Sequence, residues 1–326
     1  MRWLAPLGAL YGSAMAARAA LYRRGVLPRR RLAGPVISVG NLSVGGSGKT
    51  PVVARVAEIL RDDGLPVAIL SRGYRGSFRG EALVVGDGSS VLADAGLAGD
   101  EPVMLARALK GVVVAVGPRR DSVGRAVEAR FGPRVHVLDD GFQHLRLARD
   151  LDLVCVTQGD LSDAPLPAGR LREAPAALDR ADVILLVDTD SPQPVLARPV
   201  FRVSRRALGF FDLQGRAREA PARPFLLAGI ARPERFEADV QAYAGSVAGV
   251  AAFPDHHRFT AGEVRDAVDR ARTAGADAVV TTAKDVVRLP ARVGAGLPLL
   301  VLRIEIEIAD EPRFRERLLA VARRAA

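Results

Sequence analysis

Pro35-Val36-Ile37-Ser38-Val39-Gly40-Asn41-Leu42-Ser43-Val44-Gly45-Gly46-Ser47-Gly48-Lys49-Thr50 is the stretch around which the chain is organised. It opens as a short β-branched apolar run, turns through glycines and closes on Gly-Lys-Thr. Val52, Val53, Val56, Ile59 and Leu60 then recur at helical spacing, so the order is strand, glycine loop, helix. That order is what a phosphate-binding P-loop requires. Backbone N–H groups of the loop, with the positive end of the helix, surround an anion. Ser43, Val44, Gly45, Gly46, Ser47, Gly48, Lys49 and Thr50 are the predicted nucleotide contacts. Lys49 is placed to reach the β- and γ-phosphates, and the Thr50 hydroxyl to meet Mg²⁺. Ser43 stands where the usual pattern has its first glycine. Serine fits there if its backbone angles are ordinary, because Gly45, Gly46 and Gly48 keep the freedom the loop needs.

Further apolar runs follow at Val67–Leu70, Val112–Val116, Val135–Leu138, Leu153–Val156 and Val183–Val187, with helix-like or loop segments between them. This pattern predicts an α/β fold with a mostly parallel sheet covered on both faces. Ligands of such sheets sit at the carboxyl ends of the strands, so the residues just past each run are the informative ones. Ser71-Arg72-Gly73-Tyr74-Arg75-Gly76 is a basic glycine loop, suited to phosphate or sugar, or else a solvated turn. Gly99-Asp100-Glu101-Pro102 precedes a helical run; its two acids serve equally as helix caps or as a general base and a Mg²⁺ partner. Arg119 and Arg120 follow the next strand and can clamp a phosphate. Val135-His136-Val137-Leu138-Asp139-Asp140 is a strand ending in two carboxylates, the Walker B arrangement for Mg²⁺, and Gln143 shortly after is placed to orient a reacting group. Leu166 to Glu173 holds too much Pro and Gly for a regular element and reads as a shaped loop carrying Arg170 and Arg172.

From about Ser191 to Pro199 the chain is proline-rich. Pro199–Val203 and Leu208–Leu213 are expected to form a two-stranded connector. A second α/β unit follows, with strands at Phe225–Ala228, Val247–Ala252, Ala278–Thr281 and Leu299–Ile308 and a closing basic helix. Thr260 and Glu263 make a capping box. Asp255-His256-His257 follows one of these strands, where histidine is either solvent-facing or a proton-transfer group.

The chain has 326 residues, 49% of them hydrophobic and 26% charged, which places it among globular rather than disordered proteins. A net charge of +10, carried mainly by arginine, points to an anionic partner or to a composition biased toward Arg, Ala and Gly. Only 5% of residues are aromatic and no basic stripe is interleaved with stacking rings, so no nucleic-acid partner is expected. The one cysteine, Cys155, forbids an internal disulfide, and four histidines make a structural Cys/His metal site a poor expectation. Leu4 to Leu21 is apolar and alanine-rich, followed by Arg23, Arg24, Arg29, Arg30 and Arg31. A signal peptide, a spanning helix and an interfacial helix compete for it, with simple packing on the domain as the plain alternative. An interfacial helix is favoured: its apolar face lies in lipid and its arginines on acidic headgroups.

Taken together, these motifs resemble the tetraacyldisaccharide 4'-kinase family of lipid A synthesis. Val39 to Pro51, Leu70 to Tyr74, Gly99 to Pro102, Asp139 to His144, Leu166 to Glu173, Phe253 to His257 and Thr281 to Asp285 carry the resemblance, which runs from the N-terminal helix to about residue 290. It implies an N-terminal amphipathic helix (1–30) on the cytoplasmic face of the inner membrane, a P-loop kinase domain (31–198), a two-stranded linker (199–222) and a smaller C-terminal α/β domain (223–326). It implies ATP and Mg²⁺ at the P-loop, with Thr50, Glu101, Asp139 and Asp140 around the metal. The lipid disaccharide would lie in the cleft. Asp100 and His256 would work together as the proton-accepting pair. Arg72, Arg120, Gln143 and Arg172 become candidates for substrate contacts, Arg120 fitting the family pattern better than Arg119. No protein partner is called for. A GTP-dependent switch or metallochaperone is the second reading, weakened because Ala283-Lys284-Asp285 lacks the residue that a guanine-reading Asn-Lys-x-Asp needs between Lys and Asp.

Overall fold

The structure is a computed structural model and describes residues 2–45, 48–188, 197–290 and 296–323. The chain divides into two compact units, one of residues 1–204 with 306–326, the other of residues 205–305.

In the first unit, helix α1 (Ala5–Arg23) precedes strand β1 (Val36–Asn41), helix α2 (Lys49–Asp62), β2 (Val67–Ser71) and β3 (Leu83–Asp87). Helices α3 (Ala95–Ala98) and α4 (Asp100–Ala108), strand β4 (Val112–Val116) and helix α5 (Arg120–Phe131) follow. Strands β5 (Val135–Asp139), β6 (Leu151–Val156), β7 (Val183–Val187) and the beginning of β8 (Val200–Asp212) complete the sheet. Its order is β8-β7-β6-β1-β5-β2-β4-β3, parallel except that β3 runs antiparallel to β4. β1, β2 and β4 to β7 are buried along their whole lengths, as a sheet covered on both faces demands. The mostly parallel α/β architecture expected from the repeated apolar runs is therefore borne out. β3 escaped that reading: Ala82 to Val85 is a short apolar run that gives way at once to Gly86, Asp87 and Gly88.

β1 lies between β5 and β6, with Val39 opposite Asp139 and Asn41 opposite Cys155. This register brings the glycine loop and the Asp139-Asp140 pair to the same edge of the sheet. α2 then buries Val52, Val53, Val56, Ile59 and Leu60. Each such side chain contributes about 1.5–3 kcal/mol relative to exposure. α5 adds Val123 and Val127 to a core with Leu70, Ala115 and Leu138.

The second unit takes in the rest of β8, β9 (Ala217–Arg218), β10 (Pro224–Ala228), helix α6 (Pro233–Gln241) and β11 (Gly249–Ala252). Helix α7 (Ala261–Thr273), β12 (Ala278–Thr282), the short helix α8 (Ala283–Val286) and most of β13 (Leu299–Ile308) follow. β11, β10, β12 and β13 are neighbours in that order and parallel. Thr260 and Glu263 form the anticipated capping box of α7. The connector differs from expectation. Residues 200–212 are one strand, not two, and β8 pairs with β9 through Phe210↔Arg218 and Phe211↔Ala217. The alternation Val200-Phe201-Arg202-Val203-Ser204 runs on through the polar Arg205 and Arg206, so no turn interrupts it.

The last helix, α9 (Glu311–Ala322), belongs with the first unit, whereas sequence order assigned it to the C-terminal domain. Its apolar stripe Phe314, Leu318 and Ala322 is buried, and Phe314 meets Phe201 edge to face at 5.4 Å. Arg55 of α2 donates to Glu311 at 3.0 Å, and Asp63 accepts from Arg315 at 3.1 Å. No helix among the described residues is long and apolar enough to cross a membrane.

Candidate active site

Gly48 caps α2 and Lys49 begins it, so the Lys49 and Thr50 side chains leave the first turn of a helix whose N–H groups point at the loop. Gly46 and Ser47 lie outside the described residues. The Lys49 ammonium is 2.9 Å from Asn41 Oδ1 and 3.4 Å from Asp140 Oδ1. Thr50 Oγ1 donates to Glu101 Oε2 at 3.0 Å.

Asp100 and Glu101 form the first turn of α4, three residues earlier than the helical run from Val103 in the sequence suggests, with Gly99 as its N-cap. Gly99 has φ +92, and a Cβ there would lie 2.6 Å from the Tyr74 carbonyl oxygen. Only glycine allows α4 to start so close to the loop after β2. Asp100 and Glu101 thus sit at the positive end of a helix, where carboxylates are stabilised.

Asp139 and Asp140 behave oppositely. Asp139 is buried at the tip of β5 and accepts from the Ser71 hydroxyl at 2.9 Å. Burial, reinforced by the negative charge of Glu101, pushes its carboxyl up to about 6 in spite of that donor. Burial would raise Asp140 too, but the Arg172 guanidinium and the Lys49 ammonium outweigh it and hold that carboxyl well below its ordinary value. Arg172 donates to both oxygens of Asp140, at 2.9 and 2.8 Å, and to the Ser43 carbonyl at 3.2 Å. Its backbone N–H also donates to the Leu42 carbonyl, and Val44 N–H to the Arg170 carbonyl. The loop Leu166–Glu173 therefore lies along the entry of the P-loop and staples it to Asp140. Its other arginine, Arg170, pairs with Asp163 at the surface.

Of the two arginines after β4, Arg119 is exposed and pairs with Glu81 at 2.6 Å, while Arg120 is 4% exposed. Burial lowers the Arg120 pKa, countered by Asp139 and Asp140, and its Nε is buried without a hydrogen-bond partner. Arg72 is exposed. Gln143 donates to the Asn41 carbonyl at 3.0 Å and to Glu173 at 3.2 Å, which leaves its Oε1 buried and unpartnered. Glu173 is in turn held by Arg180 through two bonds of 2.8 and 2.9 Å. Asn41, Ser71, Glu173 and Arg180 were not singled out from sequence. A buried polar residue within an apolar strand, as Asn41 is, was the available signal.

The second unit holds the Asp255-His256-His257 segment. His257 is committed to structure: its Nε2 lies 3.0 Å from Glu263 of the capping box and its ring stacks on Phe253 at 4.6 Å. His256 has φ +67, and its Nε2 is 3.5 Å from Asp255 and 3.4 Å from the Lys284 ammonium. Asp100 and His256 thus lie in different units.

The donors around Thr50, Glu101, Asp139 and Asp140 are all hard oxygens, the chemistry that suits Mg²⁺. Among the described residues no three His, Cys, Asp or Glu side chains converge on a metal position. Mg²⁺ characteristically uses one or two carboxylates and completes its shell with water and phosphate, so the donor set fits.

A glycine loop opening a helix, with paired acids on the adjoining strand, defines a P-loop nucleotide-binding protein. The chain matches the LpxK family, described as tetraacyldisaccharide-1-P 4'-kinase, over residues 1–323. Curated tetraacyldisaccharide 4'-kinases include one from Anaeromyxobacter dehalogenans (strain 2CP-C), 44% identical over 93% of this chain and 88% of its own. One from Koribacter versatilis is 36% identical over 98% of both. A crystal structure of LpxK from Aquifex aeolicus in complex with ATP superposes with a TM-score of 0.84, at 30% identity, over 98% of this chain and 99% of that one. The chain belongs to the tetraacyldisaccharide 4'-kinase family and is a kinase. The GTP-switch reading is not favoured by these relationships. Within the chain, Asp285 is locked in a buried pair with Arg288, away from any role in reading a base.

Proposed function

We propose that this protein transfers the γ-phosphoryl group of ATP to the 4'-hydroxyl of a tetraacyldisaccharide 1-phosphate, a late step of lipid A biosynthesis, at the cytoplasmic face of the inner membrane. The observation that carries the reading is the meeting of Thr50, Glu101 and the Asp139-Asp140 pair at the mouth of the P-loop. Thr50, Asp139 and Glu101 would hold Mg²⁺, with Asp140 beside them, and the ion would supply positive charge to the phosphate oxygens. Lys49 moves from Asn41 and Asp140 onto the phosphates. Arg172 keeps Asp140 ionised and the loop in place. Arg120, with Arg72 nearby in the field, offers cationic charge to phosphate oxygens.

Asp100, assisted by His256, takes the proton of the sugar hydroxyl. The O–P bond forms at the γ-phosphorus as the bond to the β–γ bridging oxygen breaks, and ADP leaves with that electron pair. The test is transfer of label from radiolabelled ATP to the acylated disaccharide 1-phosphate, with product mass and position of phosphorylation read by mass spectrometry. No labelled lipid from ATP-binding protein would sink the reading. Asp100→Ala and His256→Ala should each lower kcat by about 10²–10⁴-fold with KM for ATP little changed. The double variant should be scarcely worse than the worse single, as expected of groups acting as one unit.

α1 supports the membrane location. Its buried face is Gly8, Gly12 and Ala19, and a Cβ on Gly8 would come within 2.8 Å of Ala168 Cβ and of the Pro165 carbonyl. Trp3, Leu7, Leu10 and Leu21 face outward, Trp3 at 77% and Leu10 at 68% exposure, with Arg23 and Arg24 exposed at the end. Small residues inward and large apolar ones outward suit a helix lying in a lipid interface. Changing Trp3, Leu7 and Leu10 to Ser should cut flotation with anionic vesicles at least about tenfold while ATP binding persists. Undiminished flotation would remove α1 from the membrane contact.

A further inference from the structure

Thr281-Thr282-Ala283-Lys284-Asp285 runs from the end of β12 into α8. In the second unit the parallel strands β10, β11 and β12 bring their carboxyl ends together at this segment. Gly229, just past β10, is the meeting point. Its N–H donates to Asp285 Oδ2 at 3.2 Å. Its carbonyl accepts from Arg288 Nη1 at 2.8 Å and from the His256 N–H at 3.0 Å. Asp285 and Arg288 are both buried and pair at 3.1 Å, and the Thr282 hydroxyl donates to Asp285 at 2.7 Å. A buried, hydrogen-bonded ion pair therefore fixes the backbone that carries His256. That backbone is left-handed, a conformation that residues with a Cβ seldom adopt, so the surrounding bonds hold the ring where it is.

Lys284 is the neighbour of Asp285 on α8. Its ammonium lies 3.4 Å from His256 Nε2 and 3.5 Å from Asp255 Oδ1, while Asp255 Oδ2 lies 3.5 Å from the same ring nitrogen. An ammonium has donors and no acceptor. The nitrogen that faces it must present its lone pair, and the neutral ring then carries its proton on Nδ1. Asp255 alone would favour the opposite tautomer; its other oxygen is engaged by Lys284, which weakens that pull.

We propose that Lys284 is a positioning residue that selects the Nδ1–H tautomer of His256, the form in which Nε2 faces Lys284 and the neutral ring keeps Nδ1 as its donor. This rests on the reading that His256 assists Asp100.

Two-bond ¹H–¹⁵N correlation spectra of the full chain labelled with ¹⁵N-histidine test this. The sequence has four histidines, and the His256 signals are identified by their loss in His256→Gln. The wild-type protein should show the Nδ1–H pattern at His256. Lys284→Met should shift it toward Nε2–H and lower kcat about tenfold, with KM for ATP changed less than about twofold. Lys284→Arg, which also only donates, should restore both. An Nε2–H pattern in the wild type overturns the proposal whatever the variants do, even if Lys284→Met fails to fold. An unshifted tautomer in folded Lys284→Met overturns it too. Failure of the underlying reading looks different: His256→Ala turns over like wild type although Lys284 still governs the tautomer.

Discussion

Lys49→Ala should reduce kcat/KM for phosphoryl transfer by at least about a thousandfold, equivalent to about 4 kcal/mol of transition-state stabilisation. The reason is in the resting contacts. The ammonium is held between Asn41 Oδ1 and Asp140, at the start of α2, and no other lysine is close to the loop by sequence. Charge shifts among the phosphate oxygens during transfer, and a cation brought beside them stabilises it most in the transition state. Folding should be nearly unaffected, because Arg172 still neutralises Asp140 through two short bonds. The assay is label transfer to the acylated disaccharide 1-phosphate, with a thermal melt as the control. Turnover within tenfold of wild type would contradict the placement of Lys49 on the phosphates.

The second large effect comes from Asp139→Asn, and it has two signs. Transfer should fall at least about a thousandfold, since a cation contact is lost. Stability at pH 8 should rise, by about 1–3 kcal/mol. Asp139 has a folded pKa of about 6 against an ordinary 3.8. The folded protein therefore holds this proton between those values while the unfolded chain releases it. The associated stabilisation is full below 3.8 and is gone once the pH passes 6, and Asn removes the buried charge that costs the protein there. Ser71 can still donate to the amide oxygen. The same titration governs ligand binding: wild-type affinity for Mg²⁺·ATP should fall as the pH drops through about 6, and Asp139→Asn should flatten that dependence. Melting curves at pH 5 and pH 8 measure the stability, calorimetric titrations across that range the affinity, and label transfer the loss of turnover. A destabilised Asp139→Asn at pH 8 would show that burial does not dominate at this carboxyl.

The parts of the site legible in sequence are those carried by short, contiguous patterns. Strand, glycines, Lys49 and Thr50 form one such pattern; the apolar run ending in Asp139 and Asp140 forms another. What could not be read is how distant segments divide the work between like residues. Arg172 reaches Asp140 and Arg170 reaches Asp163, although the two stand side by side in one loop. Arg120 is buried and Arg119 is not, a distinction set by the turn that starts α5. The Arg180–Glu173–Gln143 chain links residues whose spacing follows no motif, and it fixes which end of the Gln143 amide remains to accept a bond. Helix α9 was misassigned for a related reason: its apolar face says that it packs, not on what.

The first unit is closed by the end of the chain. Phe201 waits for Phe314, and Arg55 for Glu311, across the whole of the intervening unit. A ribosome therefore delivers every residue from 205 to 305 before it delivers the helix that seals the nucleotide-side core. During synthesis the strands of the second unit therefore emerge before the helix that fills the apolar seat of Phe314, Leu318 and Ala322 in the first.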